Sequence, residues 1–118
     1  MILADTSVWV EHLRVGDATL ARRLADGLVL AHPFVIGELA LGNLRRRATL
    51  LADLADLPAA EVATPGEVLA FVEREALGGR GIGYVDAHLL AAARLSAATL
   101  WTRHRRLHAV AQTLGLAV

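Results

Sequence analysis

Three acids stand out by where they fall among the apolar residues. Asp5 closes the short run Ile2-Leu3-Ala4, Glu38 lies four residues after Phe34 and three before Leu41, and Asp86 shares a helical face with Leu89, Leu90 and Ala93. Each carboxylate thus occupies a core-facing position, where an unpaired charge is costly. Taken singly they are ambiguous: Asp5 can simply cap the following helix, and Glu38 can sit at a stripe edge and reach water. Taken together, three carboxylates would repel and raise each other's pKa unless a cation joined them. Oxygen-only ligation in a chain without cysteine favours Mg²⁺ or Mn²⁺ over zinc. Such a centre suits hydrolysis of a phosphodiester, because the metal orients water, lowers its pKa and offsets charge in the transition state.

The elements that must position these acids alternate along the chain. Ile2–Ala4 is too short for a helix and suits a strand buried on both faces, and Thr6 or Ser7 can cap a helix over Val8–Leu13. Asp17 can cap a second helix, Ala18–Asp26, which Gly27 closes. Leu28–Ala31 is a second apolar strand, and Pro33, suited to a first turn, opens a helix over Pro33–Arg46 with Phe34, Leu41 and Leu44 as its apolar stripe. A short helix, Ala48–Leu57, precedes a weaker third strand at Ala59–Ala63. Thr64-Pro65-Gly66-Glu67 spells a capping box before the helix Glu67–Leu77, with Val68, Leu69, Val72 and Ala76 inward. Gly78-Gly79-Arg80-Gly81-Ile82-Gly83 lacks the Lys and Ser/Thr of a phosphate loop and reads as a flexible lead into the helix Tyr84–Leu95.

Ala98–Thr102 is the fourth strand, followed by the helix Arg105–Leu114 and a final edge strand, Leu116–Val118. Apolar, unalternating strands interleaved with helices predict an α/β fold. The architecture expected is a three-layer α/β/α sandwich with a central, mostly parallel sheet, in a single domain over residues 1–118. Right-handed crossovers would bring all strand carboxyl ends to one edge. Asp5 and His104 fall at such ends, and Glu38 and Asp86 lie on helices that can reach the same edge.

Composition narrows the chemistry. A hydrophobic content of 55% in 118 residues is ample for a core. With no cysteine there is no disulfide, thiolate zinc site or cysteine nucleophile. All 12 basic residues are Arg, which removes a Walker lysine and a Schiff-base lysine together. The net charge is zero, yet Arg45-Arg46-Arg47 and Arg103-His104-Arg105-Arg106 form two basic knots that could hold a substrate backbone. No apolar run approaches the roughly 18 residues of a membrane span, and Asp5 and Glu11 fall where a signal peptide would be apolar. A soluble cytoplasmic protein is expected. Of the remaining histidines, His12 reads as part of a solvated helix face, His32 as a helix-start residue, and His88 and His108 as satisfied surface or interface residues.

These residues resemble a known family. Ile2-Leu3-Ala4-Asp5-Thr6-Ser7, Glu38-Leu39 with Gly42, Gly83-Tyr84-Val85-Asp86-Ala87-His88-Leu89-Leu90-Ala91-Ala92-Ala93 and Leu100-Trp101-Thr102-Arg103 resemble the PIN domain. Their order and spacing look like the VapC-type ribonuclease toxins of bacterial toxin–antitoxin pairs. The resemblance implies a Mg²⁺- or Mn²⁺-dependent endoribonuclease, a homodimer, and a cognate antitoxin that occludes the site. Asp5, Glu38 and Asp86 match the family's acidic metal positions, and Thr6 or Ser7 and Thr102 match hydroxyls that orient ligands or water. The fourth position, usually Asp, is His104 here, which brings no negative charge. An imidazole there can still ligate Mn²⁺, bind phosphate when protonated, or move protons.

Two further readings compete. One is a PIN-like domain weakened at His104 that persists as an RNA- or antitoxin-binding protein. The other is a phosphoryl-transfer protein of receiver or haloacid-dehalogenase type, which the absence of lysine and of a D-x-D pair opposes.

Overall fold

Three short runs of apolar residues pair with one another, because each is flanked by helix and can be covered on both faces. In the structure, a computed structural model describing residues 1–118, Ile2–Ala4 (β1), Val29–Leu30 (β2) and Thr99–Trp101 (β3) form a parallel sheet in the order β2-β1-β3. Ile2 and Leu3 pair with Val29 and Leu30 on one side, and Ile2, Leu3 and Ala4 pair with Thr99, Leu100 and Trp101 on the other. Leu3, Val29 and Leu100 are completely buried. Single parallel bridges, Ala31 to Ala59 and Leu100 to Ala117, extend the sheet at both margins. The strands expected over Ala59–Ala63 and Leu116–Val118 shrink to those bridges, since neither segment has a second partner to extend its ladder.

Seven helices fill the connections. Thr6–Val15 (α1) and Ala18–Ala25 (α2) join β1 to β2. Pro33–Ala40 (α3) and Arg47–Ala55 (α4) lead from β2 to the Ala59 bridge, and Pro65–Arg74 (α5) and Tyr84–Leu95 (α6) return to β3. Arg105–Thr113 (α7) leads from β3 to the Ala117 bridge. Travel across the sheet reverses once, between Ala59 and β3. Right-handed crossovers therefore put α1–α4 on one face and α5–α7 on the other, the expected three-layer sandwich. The strand order diverges between β1 and β3, and the carboxyl edge of such a switch point is where open α/β sheets build sites. No helix is long and apolar enough to cross a membrane.

Local chemistry explains most element ends. Thr64 and Glu67 form the expected capping box, with Thr64 N–H donating to Glu67 Oε1 at 2.8 Å and Glu67 N–H donating to Thr64 Oγ1 at 3.2 Å. The run Ala87–Ala93 is buried without interruption, so α6 is the helix enclosed on all sides and its alanines permit close approach. One expected face and one expected helix length differ in the structure. In α5 the inward residues are Val68 and Phe71, whereas Leu69 is 59% exposed and Ala76 lies outside the helix in the left-handed region with φ 52°. The helix expected over Pro33–Arg46 stops at Ala40, because Gly42-Asn43 favours a turn and the Arg47 side chain donates to the free carbonyls of Ala40 and Gly42.

Leu100 and Leu69 make a matched test of this core. Leu100→Ala is expected to destabilise by about 3 kcal/mol and Leu69→Ala by less than about 0.5 kcal/mol, read from urea midpoints at constant m-value.

Candidate active site

The carboxyl end of β1 carries the most constrained polar group in the protein. Asp5 continues the sheet by donating its N–H to Trp101 O at 2.9 Å, which sets its side chain beside the end of β3. Its carboxylate is 3% exposed and caps α1 through Val8 N–H, 3.2 Å from Oδ1. Ser7 Oγ donates to the same oxygen at 2.5 Å, and Thr102 Oγ1 donates to Oδ2 at 2.5 Å. Each hydroxyl in turn accepts a backbone N–H from the turn after β3: Ser7 from Arg103 and Thr102 from His104, both at 3.0 Å. A backbone N–H can only donate, so it leaves each hydroxyl proton free to go to Asp5. Two parallel relays thus aim hydroxyl protons at one buried carboxylate. Asp5 is both helix cap and sheet-edge acid, and Ser7 braces it from within α1 rather than capping the helix itself.

The other sequence candidates are placed less tightly. Glu38 was expected on the buried stripe of its helix, but the buried residues of α3 are Val35 and Leu39, a stripe rotated by one residue. Leu41, taken as part of the stripe, is 90% exposed because the chain has already left the helix. Glu38 is therefore exposed and makes no hydrogen bond; it lines a groove of about 580 Å³ between α1 and the α3–α4 turn, together with Thr6, the neighbour of Asp5. Asp86 is half-buried in the first turn of α6, and its Oδ2 accepts the N–H of the cap residue Gly83 at 3.0 Å. His104 caps the start of α7 by backbone only, with its imidazole exposed.

The protein alone does not draw three acidic or imidazole side chains into a metal-holding group. The donor set nevertheless suits a hard cation. Asp5 accepts three hydrogen bonds where a carboxylate offers about four lone-pair sites. Asp86 has one oxygen free and Glu38 has both.

A second buried polar group lies between the helices that carry Glu38 and Asp86, and sequence reading missed it. His32 caps α3, its Nδ1 accepting Phe34 N–H at 3.0 Å, and is completely buried; His88, expected as a satisfied surface or interface residue, is 2% exposed inside α6. Phe34 touches both, edge-on to His32 with centroids 5.1 Å apart and tilted against His88 at 4.7 Å, and Tyr84 meets His88 edge-on at 4.6 Å. His32 Nε2 and His88 Nδ1 have no hydrogen-bond partner. The available signal was that His88 interrupts an otherwise apolar stretch, Leu89 to Ala93 following it without a break. His12 also departs from its expected solvated place: it is half-buried, and its Nδ1 accepts Asp17 N–H at 3.0 Å.

With the fold and the braced acid in place, comparison with known proteins is direct. The chain belongs to the PIN-domain family, whose model matches residues 2–112. It is 50% identical over 119 aligned residues to ribonuclease VapC32 of Mycobacterium tuberculosis, in strain CDC 1551 / Oshkosh and in strain ATCC 25618 / H37Rv. Each alignment covers 100% of this chain and 96% of the relative.

Two outcomes are expected from this geometry. Thr102→Val keeps the side-chain shape but leaves Asp5 Oδ2 without its hydroxyl donor, and should cost about 1–3 kcal/mol in chemical denaturation. Burial, aided by repulsion from His88, pushes the His32 pKa down from 6.5 to about 4. The unfolded chain therefore takes up the proton first as pH falls. The stability contributed by neutral His32 is complete above pH 6.5 and is lost progressively between 6.5 and about 4, a loss of about 3 kcal/mol. Burial lowers the His88 pKa as well, in the same sense. His32→Asn retains a capping side chain and should flatten this slope in urea titrations run from pH 7 to 4.

Proposed function

We propose that this protein is an endoribonuclease that hydrolyses RNA phosphodiester bonds, the toxin of a two-protein toxin–antitoxin module acting in the cytoplasm. The observation that carries this reading is end-to-end identity of 50% to a protein named ribonuclease. The geometry supports it by placing a buried, doubly braced carboxylate at the switch point of the sheet.

Asp5, Glu38 and Asp86 would hold a divalent cation, Mg²⁺ or Mn²⁺, through the oxygens they keep free. When bound, it supplies Lewis-acid chemistry at the phosphodiester and acidifies water. Asp5 fixes the geometry, because its relays through Ser7 and Thr102 prevent the carboxylate from rotating. Glu38, exposed in the groove between α1 and the α3–α4 turn, would adjust to the substrate complex, and Asp86 is held by its cap to Gly83. His104 occupies the fourth position with an exposed imidazole able to hold or move a proton near the substrate. The proposal includes a homodimer and a cognate antitoxin that covers this edge.

One observation favours a second reading. With His104 in place of an acid and no three-acid cluster preformed, the domain would bind RNA or antitoxin without cutting. Incubation of the partner-free protein with RNA and Mn²⁺ or Mg²⁺, with and without chelator, separates the two. Metal-dependent cleavage is expected, falling at least about a hundredfold in Asp5→Asn, which retains a capping side chain and so should stay folded. Glu38→Gln and Asp86→Asn should each lose about tenfold or more. Absence of cleavage by the folded wild type, with activity appearing in His104→Asp, would replace the nuclease reading by the binding one.

A further inference from the structure

The loop Gly78–Gly83 carries none of the residues of a phosphate loop, yet the structure gives one of its glycines a specific neighbour. A Cβ on Gly81 would lie 2.8 Å from Arg106 Cδ and 3.0 Å from Arg106 Nη1. The Arg106 side chain therefore rests against the bare Cα of Gly81, and a side chain at position 81 would require Arg106 to shift. Gly81 also has φ +79°, a left-handed conformation that glycine alone adopts without strain. The backbone conformation requires glycine here, and Arg106 uses the space that glycine leaves.

Arg106 does nothing visible for the fold. The ion pairs of the molecule join Glu11 with Arg14 and Glu75 with Arg74 and Arg94, and none includes Arg106. Its guanidinium makes no hydrogen bond, and it stands in the first turn of α7, which contains no acid. Cations there oppose the helix dipole and weaken the helix. An exposed, unpaired guanidinium that lies against Gly81, at some cost to its own helix, is available to an external anion.

Its position says which. Arg106 follows by two residues His104, whose N–H holds Thr102 against Asp5, and it packs on the loop that ends at Gly83, whose N–H holds Asp86. We propose that Arg106, seated on Gly81, grips a backbone phosphate of the RNA beside the bond that is cut, and that Gly81 is its positioning residue. The planar fork of arginine suits a phosphate oxygen pair. The inference rests on the ribonuclease reading for its substrate but is tested by binding, which does not require cleavage.

The experiment is fluorescence anisotropy with a labelled mixed-sequence single-stranded RNA, in EDTA, over a range of salt concentrations. Arg106→Gln should raise Kd roughly fivefold and reduce the slope of log Kd against log salt by about 0.7, the share of one phosphate contact on a single strand. Arg106→Lys, which keeps the charge, should restore the slope. Gly81→Ala should act in the same direction, and the double variant should be no worse than Arg106→Gln alone, because both remove one contact. Thermal melts confirm that each variant is folded. Unchanged affinity and slope in folded Arg106→Gln would overturn the proposal, as would unchanged RNA binding with lost affinity for an acidic partner protein. Failure of the wild type to cleave RNA, with the Arg106 effect on binding intact, would overturn the nuclease reading and leave the phosphate contact standing.

Discussion

A carboxylate buried at the end of a central strand is the constraint around which the carboxyl edge of this sheet is arranged. Removing such a group from water costs several kcal/mol unless donors replace the lost hydration. Asp5 obtains them from its own helix, through Ser7 and Val8, and from a residue 97 positions away, Thr102. That distant donor arrives because the parallel register sets Ala4 opposite Trp101, so the next residue of each strand meets at the edge. The same hydroxyls accept the amides of Arg103 and His104, which fixes the turn that launches α7. Sheet register, two helix starts and one turn therefore share a single electrostatic solution. Any change in one is felt by the acid.

That arrangement explains what could be read from the sequence. The three paired strands and the helix Tyr84–Leu95 were legible because their apolar runs have the right length and their neighbours cap them, whereas Ala59–Ala63 and Leu116–Val118 form only single bridges. The position of Asp5 followed from the strand-to-helix transition alone. Glu38 was misplaced because Phe34, Leu41 and Leu44 have helical spacing, although Gly42-Asn43 ends the helix before that stripe is complete. Val35 and Leu39, four residues apart and so also helically spaced, are the pair the core selects. Periodicity offered both stripes, and only packing against α1 and α4 decides between them. His88 was misread for a related reason: histidine is usually partly exposed, and only the enclosure of α6 by its neighbours makes position 88 a core site.

The buried histidines give that enclosure a second consequence. His32 starts the helix that carries Glu38, and His88 lies one residue beyond the first turn of the helix that carries Asp86. Phe34 between them and Tyr84 beside them make one aromatic cluster joining α3 to α6. Edge-to-face contacts of this kind contribute about 0.5–1.5 kcal/mol each beyond simple burial. They also depend on neutral imidazoles, since a charge in this setting would be desolvated and would repel its twin. The two acid-bearing helices thus meet through an apolar contact rather than through the acids themselves.

The unequal placement of the three acids then has a physical rationale on the proposed reading. Three carboxylates fixed within a few ångströms in a dry site would repel strongly, since two unit charges 4 Å apart interact by about 4 kcal/mol even at an effective dielectric of 20. A fold of this size has a total stability of only about 5–15 kcal/mol and would depend on its cation to stand. Burying Asp5 alone, half-burying Asp86 with one oxygen on Gly83 N–H, and leaving Glu38 in water removes most of that repulsion. The rigid acid supplies geometry and the exposed one supplies charge on demand. Stability then rests on the braced strand end, and cation binding becomes a step of substrate engagement rather than of folding.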